Sequence, residues 1–198
     1  MGPQALPRIG DSVGLFDFLK RRSQPPPATD LDPLLTQVAD AFPKGPARRG
    51  MLRDDARGSD RAVIGEILTF DAEDHWLLLF LGCRAVGAPF ELTLRAAKVD
   101  AEPPSTWCIE PVTRVANAIG GGALCAPGVT WKLGPIGAPE SAFAGLVTLP
   151  DLQFGELAPA RLLQLVPITQ AELGMRGADL ERLCTTIEQD RARMTGRA

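Results

Sequence analysis

The sequence predicts an α+β fold in which helices flank a mixed, largely antiparallel β-sheet. Runs with the alternation and turn residues of β-strands fill the middle of the chain. Apolar residues at helical spacing occur near the start, in the middle and near the end. The two patterns do not alternate regularly, as they would in a parallel βαβ protein, which places the chain in the α+β class.

Length and composition are those of one globular domain. The chain has 198 residues, of which 45% are hydrophobic and 23% charged, inside the ordinary globular range. We expect an amphipathic arm and Pro-rich linker over residues 1–30 and a single domain over residues 31–198. The formal net charge of -3 is too small to draw the chain to nucleic acid or to an anionic membrane.

The cysteines are widely spaced and lack the Cys-x-x-Cys pairing of zinc and redox sites. They are Cys83, Cys108, Cys125 and Cys184. We interpret them as reduced core thiols, although two disulfides remain an alternative in a secreted protein. The start of the chain lacks the basic and apolar regions of a signal peptide, so a cytoplasmic location is expected. No apolar run approaches the ~20 residues of a membrane-spanning helix.

Residues 11–22 place Phe16 and Leu19 on one helical face and end in a basic cluster at residues 20–22. Two interpretations are open. The segment can be a helix docked on its own domain, because basic residues at a helix C-terminus complement the helix dipole. It can also be a membrane or partner anchor, which would make the protein a membrane-associated adaptor. Residues 23–27 then predict a stiff linker.

The first helix of the domain is predicted to start at Asp32 and Pro33. A carboxylate can accept hydrogen bonds from free amides there, and proline is tolerated in the first turn. The apolar stripe of this helix consists of Leu34, Leu35, Val38 and Phe42. Residues 43–46 end the helix, and residues 48–61, rich in both charge signs, are predicted to form a mobile loop.

Three strands are predicted next, at residues 62–70, 76–83 and 90–97. The second is apolar on both faces, which is typical of a central strand. The third alternates, which predicts a strand covered on one face only. Its covered face would hold Phe90, Leu92 and Leu94, and its other face Glu91, Thr93 and Arg95.

The rest of the chain is predicted to hold two helices and four short strands. The first helix spans residues 107–119, after two prolines and before a triple glycine. The strands are 129–133, 144–148, 153–157 and 162–167, the last two forming a hairpin through residues 158–160. Thr169 and Glu172 form a capping box before a final helix. Its apolar face holds Leu180, Leu183, Cys184 and Ile187.

Residues 10–14 match the G-x-S-x-G pattern of a hydrolase nucleophile elbow, with Ser12 as the nucleophile. No strand is predicted before this pattern, and the chain's single histidine, His75, would have to act as the base. A serine hydrolase using Ser12 and His75 is kept as an alternative to a structural histidine. The acidic residues at 71–74 could hold a hard cation, but a solvated turn is favoured. No metal or cofactor is predicted.

Five motifs, in the same order along the chain, resemble those of the suppressor of fused family and in particular its bacterial members. They correspond to the family's His-Trp strand, its F-E-L-T-F-R strand, a Pro-Pro helix start, its G-D-H-V-S-W strand and its F-L-Q-L-V-P signature. The matching segments are Asp74–Gly82, Phe90–Arg95, Pro103–Trp107, Gly128–Trp131 and Leu163–Leu173. The resemblance covers roughly residues 31–183, as a stand-alone version of the family's amino-terminal domain.

The resemblance implies a mixed sheet flanked by helices, no enzymatic activity and no cofactor. The animal proteins of the family hold a transcription factor of the Gli type, clamping an extended peptide partly by strand pairing. Some bacterial relatives are immunity proteins that neutralise a toxin by binding it. We therefore expect a non-catalytic protein–protein interaction domain, an immunity or regulatory protein that sequesters an unidentified protein partner. A toxin is one candidate, and no oligomeric state is predicted.

The matched residues are expected to determine the fold rather than to form a reactive site, since several fall at core-facing or capping positions. They are His75, Trp76, Phe90, Glu91, Trp107, Trp131, Gln164 and Glu172. Trp107 and Trp131 could instead be exposed hot-spot aromatics at a partner interface, but large aromatics lie more often in the core. No catalytic residue is predicted.

Overall fold

The computed structural model describes residues 32–52, 65–98, 102–104, 106–136, 142–151 and 161–189. The strands are β1 (Arg48–Leu52), β2 (Gly65–Asp71), β3 (His75–Leu81), β4 (Phe90–Ala97), β5 (Thr130–Lys132), β6 (Phe143–Pro150) and β7 (Arg161–Thr169). The α-helices are α1 (Asp32–Ala41), α2 (Thr106–Gly120) and α3 (Gly177–Gln189). Short 3-10 turns span Arg84–Val86 and Glu172–Gly174. The predicted arm and linker lie outside these ranges.

All strands of the described chain form one seven-stranded sheet, in the order β1-β2-β3-β4-β7-β6-β5. Neighbouring strands are antiparallel, except that β4 and β7 are parallel. Strands β1 to β4 therefore form a meander, and β7 joins it to the β6–β5 pair. The predicted mixed, largely antiparallel sheet is confirmed.

Helices cover both faces of this sheet. On one face, α2 packs against alternating apolar residues from β2, β3, β4, β6 and β7. On the other face, α1 covers β2 and β3, while α3 covers β6 and β7. Strand β4 contributes no residue to either of these two smaller clusters. The face that carries α1 and α3 thus has two apolar clusters, with the polar side of β4 between them.

Helix α1 buries most of its predicted apolar stripe. Leu34, Val38 and Phe42 are buried against the sheet, whereas Leu35 is 37% exposed. Phe42 stacks on Phe70 of β2 with ring centroids 4.9 Å apart, an offset geometry that adds to the apolar contact. The stripe therefore spans positions i, i+4 and i+8, and Leu35 lies beyond its border.

The prediction of a mobile loop over residues 48–61 is wrong for its first part. Residues Arg48–Leu52 form β1, which pairs with β2 from Arg48 opposite Thr69 to Leu52 opposite Gly65. The two arginines hid this strand, because charged residues are rare in central strands but common at the edge of a sheet. Residues 53–64 lie outside the described ranges.

The predicted hairpin between residues 153–157 and 162–167 is wrong in its pairing. Strand β7 has β4 on one side and β6 on the other, so both of its edges are taken. The antiparallel partner is β6, and the Asp151 N–H donates to the Leu162 carbonyl at 3.0 Å just beyond the ladder. Residues 152–160 lie outside the part that the structure describes.

The prediction that the third strand is covered on one face only is also wrong. Strand β4 lies inside the sheet and is buried on both faces from Phe90 to Ala96. Glu91, Thr93 and Arg95, which alternate with its apolar residues, are at most 6% exposed. Alternation cannot distinguish a solvent face from an interior face whose polar side chains are paired with one another.

Other predicted elements are found close to their expected bounds. Strand β3 is buried on both faces up to Phe80, as predicted for a central strand, and α2 occupies the predicted helical segment. The capping box is present: the Thr169 N–H donates to Glu172 Oε2 at 2.8 Å, and the Glu172 N–H donates to Thr169 Oγ1 at 3.4 Å. It does not cap a helix, however: the 3-10 turn has Ala171 at its N-cap position, without a side-chain cap bond, and α3 begins later, at Gly177.

Gly145 permits a close approach between β6 and its neighbours. It lies at the register shift between β6 and β7. A Cβ at this position would lie 2.3 Å from the Trp131 carbonyl oxygen and 2.7 Å from Leu173 Cδ2. Because real Cβ atoms do not approach that closely, this position of the strand requires glycine.

Candidate functional site

A buried group of polar side chains lies between the two apolar clusters on the α1 and α3 face. Thr93 and Arg95 come from β4, Gln164 comes from β7, and Asp151 follows β6. Each of the four is at most 6% exposed. We call these four residues the polar cluster.

Asp151 and Arg95 form the centre of the polar cluster. Arg95 Nη2 donates to Asp151 Oδ1 at 2.6 Å, and Arg95 Nη1 donates to Gln164 Oε1. Thr93 Oγ1 donates to the second carboxylate oxygen, Asp151 Oδ2, at 2.6 Å. Both carboxylate oxygens thus have a donor, and the buried guanidinium has its counter-charge. Buried charges are tolerated when they are paired and hydrogen-bonded in this way.

The parallel pairing of β4 and β7 builds the polar cluster. Its register places Thr93 opposite Gln164. Side chains two residues apart on a strand share a face, so Arg95 projects to the same side as Thr93. The hydrogen bond from the Asp151 N–H to Leu162 fixes the carboxylate at the end of β6. The residues of the polar cluster are far apart in sequence, and they meet because β7 pairs with β4.

The polar cluster is suited to holding strands in register rather than to chemistry on a substrate. A general base must reach a substrate proton, but the Asp151 carboxylate is 1% exposed and is bonded at both oxygens. Sequence reasoning missed Thr93, Arg95 and Asp151 as buried partners. The available signal was Gln164, an amide inside the apolar run of β7, since a buried amide requires a partner.

Glu91 lies on the same face of β4 and holds the β3–β4 turn. Its Oε2 accepts the N–H groups of Gly82 at 2.9 Å and Cys83 at 2.8 Å, and its Oε1 accepts the Arg84 N–H at 3.3 Å. Burial raises the pKa of the Glu91 carboxyl, and the three amide donors oppose that rise. The side chain thus satisfies backbone groups that the turn would otherwise bury without partners.

His75, the base of the hydrolase alternative, lies at the start of β3 and is 7% exposed. Its Nδ1 is 2.7 Å from Asp74 Oδ1. Ser12 and its G-x-S-x-G motif lie outside the described residues, so the structure places one member of the predicted pair. Asp71, at the candidate cation turn, forms an ion pair with Lys98. Within the described ranges, no three His, Cys, Asp or Glu side chains are grouped to hold a metal ion.

Two of the signature tryptophans have described side chains. Trp76 is 3% exposed, and Lys98 Nζ lies 5.0 Å from its ring centroid, within the range of a cation–π contact. Trp131 is half-buried on the edge strand β5, where its Nε1 donates to Thr148 Oγ1 at 2.8 Å. Trp107 belongs to α2, but its side chain is not among those that the structure describes.

The other signature residues have defined positions. Phe90 is buried at the start of β4. Gln164 belongs to the polar cluster, and Glu172 to the capping box. The structure does not bring the eight signature residues together into one site: they are distributed over both faces of the sheet and the turn after β7.

All four cysteines are free thiols, and the predicted core placement holds for two of them. Cys83 and Cys108 are buried, and Cys125 and Cys184 are partly exposed. Burial raises the pKa of the Cys83 thiol, and it raises the pKa of Cys108 to about 12. Thiolate nucleophiles at these two positions are therefore disfavoured.

No helix in the described part of the chain combines the length and apolar character needed to cross a bilayer. The candidate anchor at residues 11–22 lies outside that part.

Solved structures share this fold. A protein assigned as a SUFU (suppressor of fused protein) homolog from Neisseria gonorrhoeae FA 1090 has a TM-score of 0.62 at 15% identity, covering 81% of this chain and 90% of that chain. The crystal structure of the Sufu–Fu complex has a TM-score of 0.59 at 18% identity, covering 76% and 79%. No family model and no curated protein matches the sequence. The fold implied by the five motifs is confirmed, and at these identities the likeness establishes the fold.

Proposed function

We propose that this chain is a non-catalytic protein-binding module that sequesters or regulates a protein partner. One observation carries the proposal: among the residues that the structure describes, the polar cluster and Glu91 are hydrogen-bonded within the fold. The polar cluster pairs with itself, and Glu91 holds three backbone amides. Such a domain acts through a shaped surface rather than through a reactive centre.

The fold likeness supports a protein as the partner. One of the structures that share the fold is a complex of Sufu with Fu. We extend to the present chain only the binding of a protein partner. The identity of the partner is not extended, because one fold can present many different surfaces.

We also propose that the eight signature residues act mainly by stabilising the fold. The support is their positions: Trp76, Phe90, Glu91 and Gln164 are each at most 7% exposed. Glu172 is engaged in the capping box, and the Trp131 indole is hydrogen-bonded inside the chain. The partner surface would then consist of other, exposed residues.

A narrower proposal is that the partner is a toxin, which this chain neutralises by binding it. Its support is the resemblance of the five sequence motifs to bacterial members of the suppressor of fused family, some of which are immunity proteins. We place this function in the cytoplasm, since free thiols throughout the described fold suit a reducing compartment.

The test is capture followed by reconstitution. The tagged full chain, with an unrelated tagged domain as control, is crosslinked in the source cell, and recovered proteins are identified by mass spectrometry. We expect one specific protein, which should re-form a complex of fixed stoichiometry from purified components at micromolar concentration. If no specific protein is recovered, or none re-forms the complex, the binding module is contradicted.

Growth measurements separate the toxin proposal from the broader one. The recovered partner is expressed alone and together with this chain. We expect growth arrest by the partner alone and recovery on co-expression. A partner that binds but does not arrest growth would reject the toxin and leave the binding module in place.

A further inference from the structure

Strand β1 is exposed far more than the rest of the sheet. It ends the strand order, and none of the described residues pairs with its outer side. Arg48, Arg49, Gly50 and Met51 are all exposed, with Met51 at 60%. A Cβ built on Gly50 meets nothing within 4 Å. This strand therefore presents both faces as well as its outer edge.

The outer edge of β1 can pair with another strand. β1 spans five residues, and its register with β2 continues without a shift. In an antiparallel ladder, alternate residues direct their N–H and C=O groups away from the partner strand. Edge strands are commonly protected by charged side chains, proline, bulges or small size. The arginines of β1 oppose pairing with a like-charged strand but not with an acidic one, and the opposite edge, β5, has only three residues. β1 is the longer of the two edges.

The positive charge near the outer edge of β1 favours an added strand that carries acidic side chains. Lys44, Arg48 and Arg49 lie within six positions of one another, in a chain whose net charge is -3. Arg48 Nη1 donates to the Pro104 carbonyl at 3.3 Å, and Arg49 Nη1 lies 3.4 Å from Glu66 Oε1. A guanidinium has five N–H donors, so both arginines keep further donors for a carboxylate.

We infer that the outer edge of β1 binds an extended acidic segment of the protein partner by strand addition. This inference rests on the proposed function and specifies the partner's chemistry. Side chains alternate between faces, so Arg48 and Arg49 project to opposite sides. Adjacent acidic residues in the added strand match them, one on each face. Met51 shares a face with Arg49 and contacts an apolar side chain of the segment.

The first test uses a short synthetic peptide with a Glu-Glu pair flanked by Val and Thr, titrated into the full chain. Amide chemical shifts in ¹⁵N spectra report the site. We expect saturable shifts at residues 48–52, and none with a peptide in which Lys-Lys replaces Glu-Glu. Shifts confined to residues 130–132, or equal responses to both peptides, would overturn the inference.

Charge reversal provides the second test. The double variant R48E/R49E should weaken peptide binding by about tenfold or more, since it turns two attractive contacts into repulsive ones. The matched control K132E, on the exposed lysine of β5, should bind like the wild type, and melting curves verify that both variants fold. Equal losses in R48E/R49E and K132E would overturn the assignment to β1.

Other occupants of the edge give different results. If a second copy of this chain occupied the edge, the β1 amide chemical shifts would change as the protein concentration rises without peptide. Sedimentation would then show a dimer. If residues 53–64 of the same chain occupied the edge, the substitution D54N/D55N/D60N would change the β1 amide chemical shifts without peptide. Either result overturns the inference.

The captured partner distinguishes this inference from the proposed function. We expect that the wild type re-forms the complex with the captured partner and that R48E/R49E does not. If the variant binds the partner like the wild type, β1 is not the docking strand, although the binding module stands. If the wild type captures nothing, the proposed function fails by itself.

Discussion

The Arg95–Asp151 pair allows a quantitative test of how the polar cluster supports the fold. The variant Asp151→Ala removes the counter-charge of Arg95, whose side chain is 7% exposed, and the acceptor of the Thr93 hydroxyl. Breaking a buried pair by removing one partner costs about 3–5 kcal/mol. Because the unfolding free energy of a domain is about 5–15 kcal/mol, this loss is a large share of the total.

Equilibrium unfolding in urea measures this loss. The matched control is Arg182→Ala, which breaks a pair with Asp179 whose side chains are 77% and 66% exposed. An exposed pair contributes about 1 kcal/mol or less, so the control should remain close to the wild type. If Asp151→Ala is destabilised no more than the control, the reasoning is refuted.

A second variant separates the charge from its environment. The double substitution Arg95→Met with Asp151→Leu replaces the pair by apolar side chains. It should recover most of the stability lost in Asp151→Ala, because a buried ion pair is often no more stabilising than apolar packing of similar volume. A double variant as unstable as Asp151→Ala would show that the geometry of the polar cluster, and not an unpaired charge, sets the loss.

Four further predictions can be tested separately. Glu91→Gln should lose about 1–3 kcal/mol in urea unfolding, because one of the two oxygens that accept from three backbone amides becomes an NH2 donor. Burial raises the folded-state pKa of Glu91 above the ordinary 4.5, so the stability of the wild type relative to this variant should fall as the pH rises from about 4.5 through the folded-state pKa. Gly145→Ala should lower the melting temperature, whereas Gly50→Ala should leave it nearly unchanged. Cys83 should react with a thiol reagent only after unfolding, whereas Cys184 should react in the native protein. A serine-reactive fluorophosphonate should leave Ser12 unlabelled, since we propose no catalysis.

Specific outcomes would contradict these expectations. If the stability of the wild type relative to Glu91→Gln rose with pH, the predicted direction of the pH dependence would be wrong. Equal melting temperatures for the two glycine variants would contradict the close approach of neighbouring atoms at Gly145. Native reaction of Cys83 at the rate of Cys184 would mean that its burial is not maintained in solution. Stoichiometric labelling of Ser12 would reinstate the hydrolase.

Much of the fold could be predicted from local pattern. Strands β3 and β4 and helix α2 have apolar spacing and turn residues that fix their type and approximate ends. The five motifs implied the overall arrangement, which the likeness to solved structures confirmed. These predictions succeeded because each depends on residues close together in the sequence.

The rest depends on partners that are distant in sequence. Arg95 and Thr93 had the pattern of a solvent face, and only the placement of Gln164 and Asp151 beside them explains their burial. β1 was predicted as a loop because a strand exposed on both faces has no apolar pattern to detect. The order β4-β7-β6 likewise follows from strand pairing, which one sequence does not specify.

The parallel junction between β4 and β7 has a consequence for synthesis on the ribosome. The meander of β1 to β4 can pair as soon as it leaves the exit tunnel, but the strand that closes its inner border is made some 70 residues later. Until then the nascent sheet ends in an open border, and Asp151, the carboxylate partner of Arg95, is itself made 56 residues after it. We therefore expect polypeptides that stop before residue 161 to be substrates for chaperones and proteases.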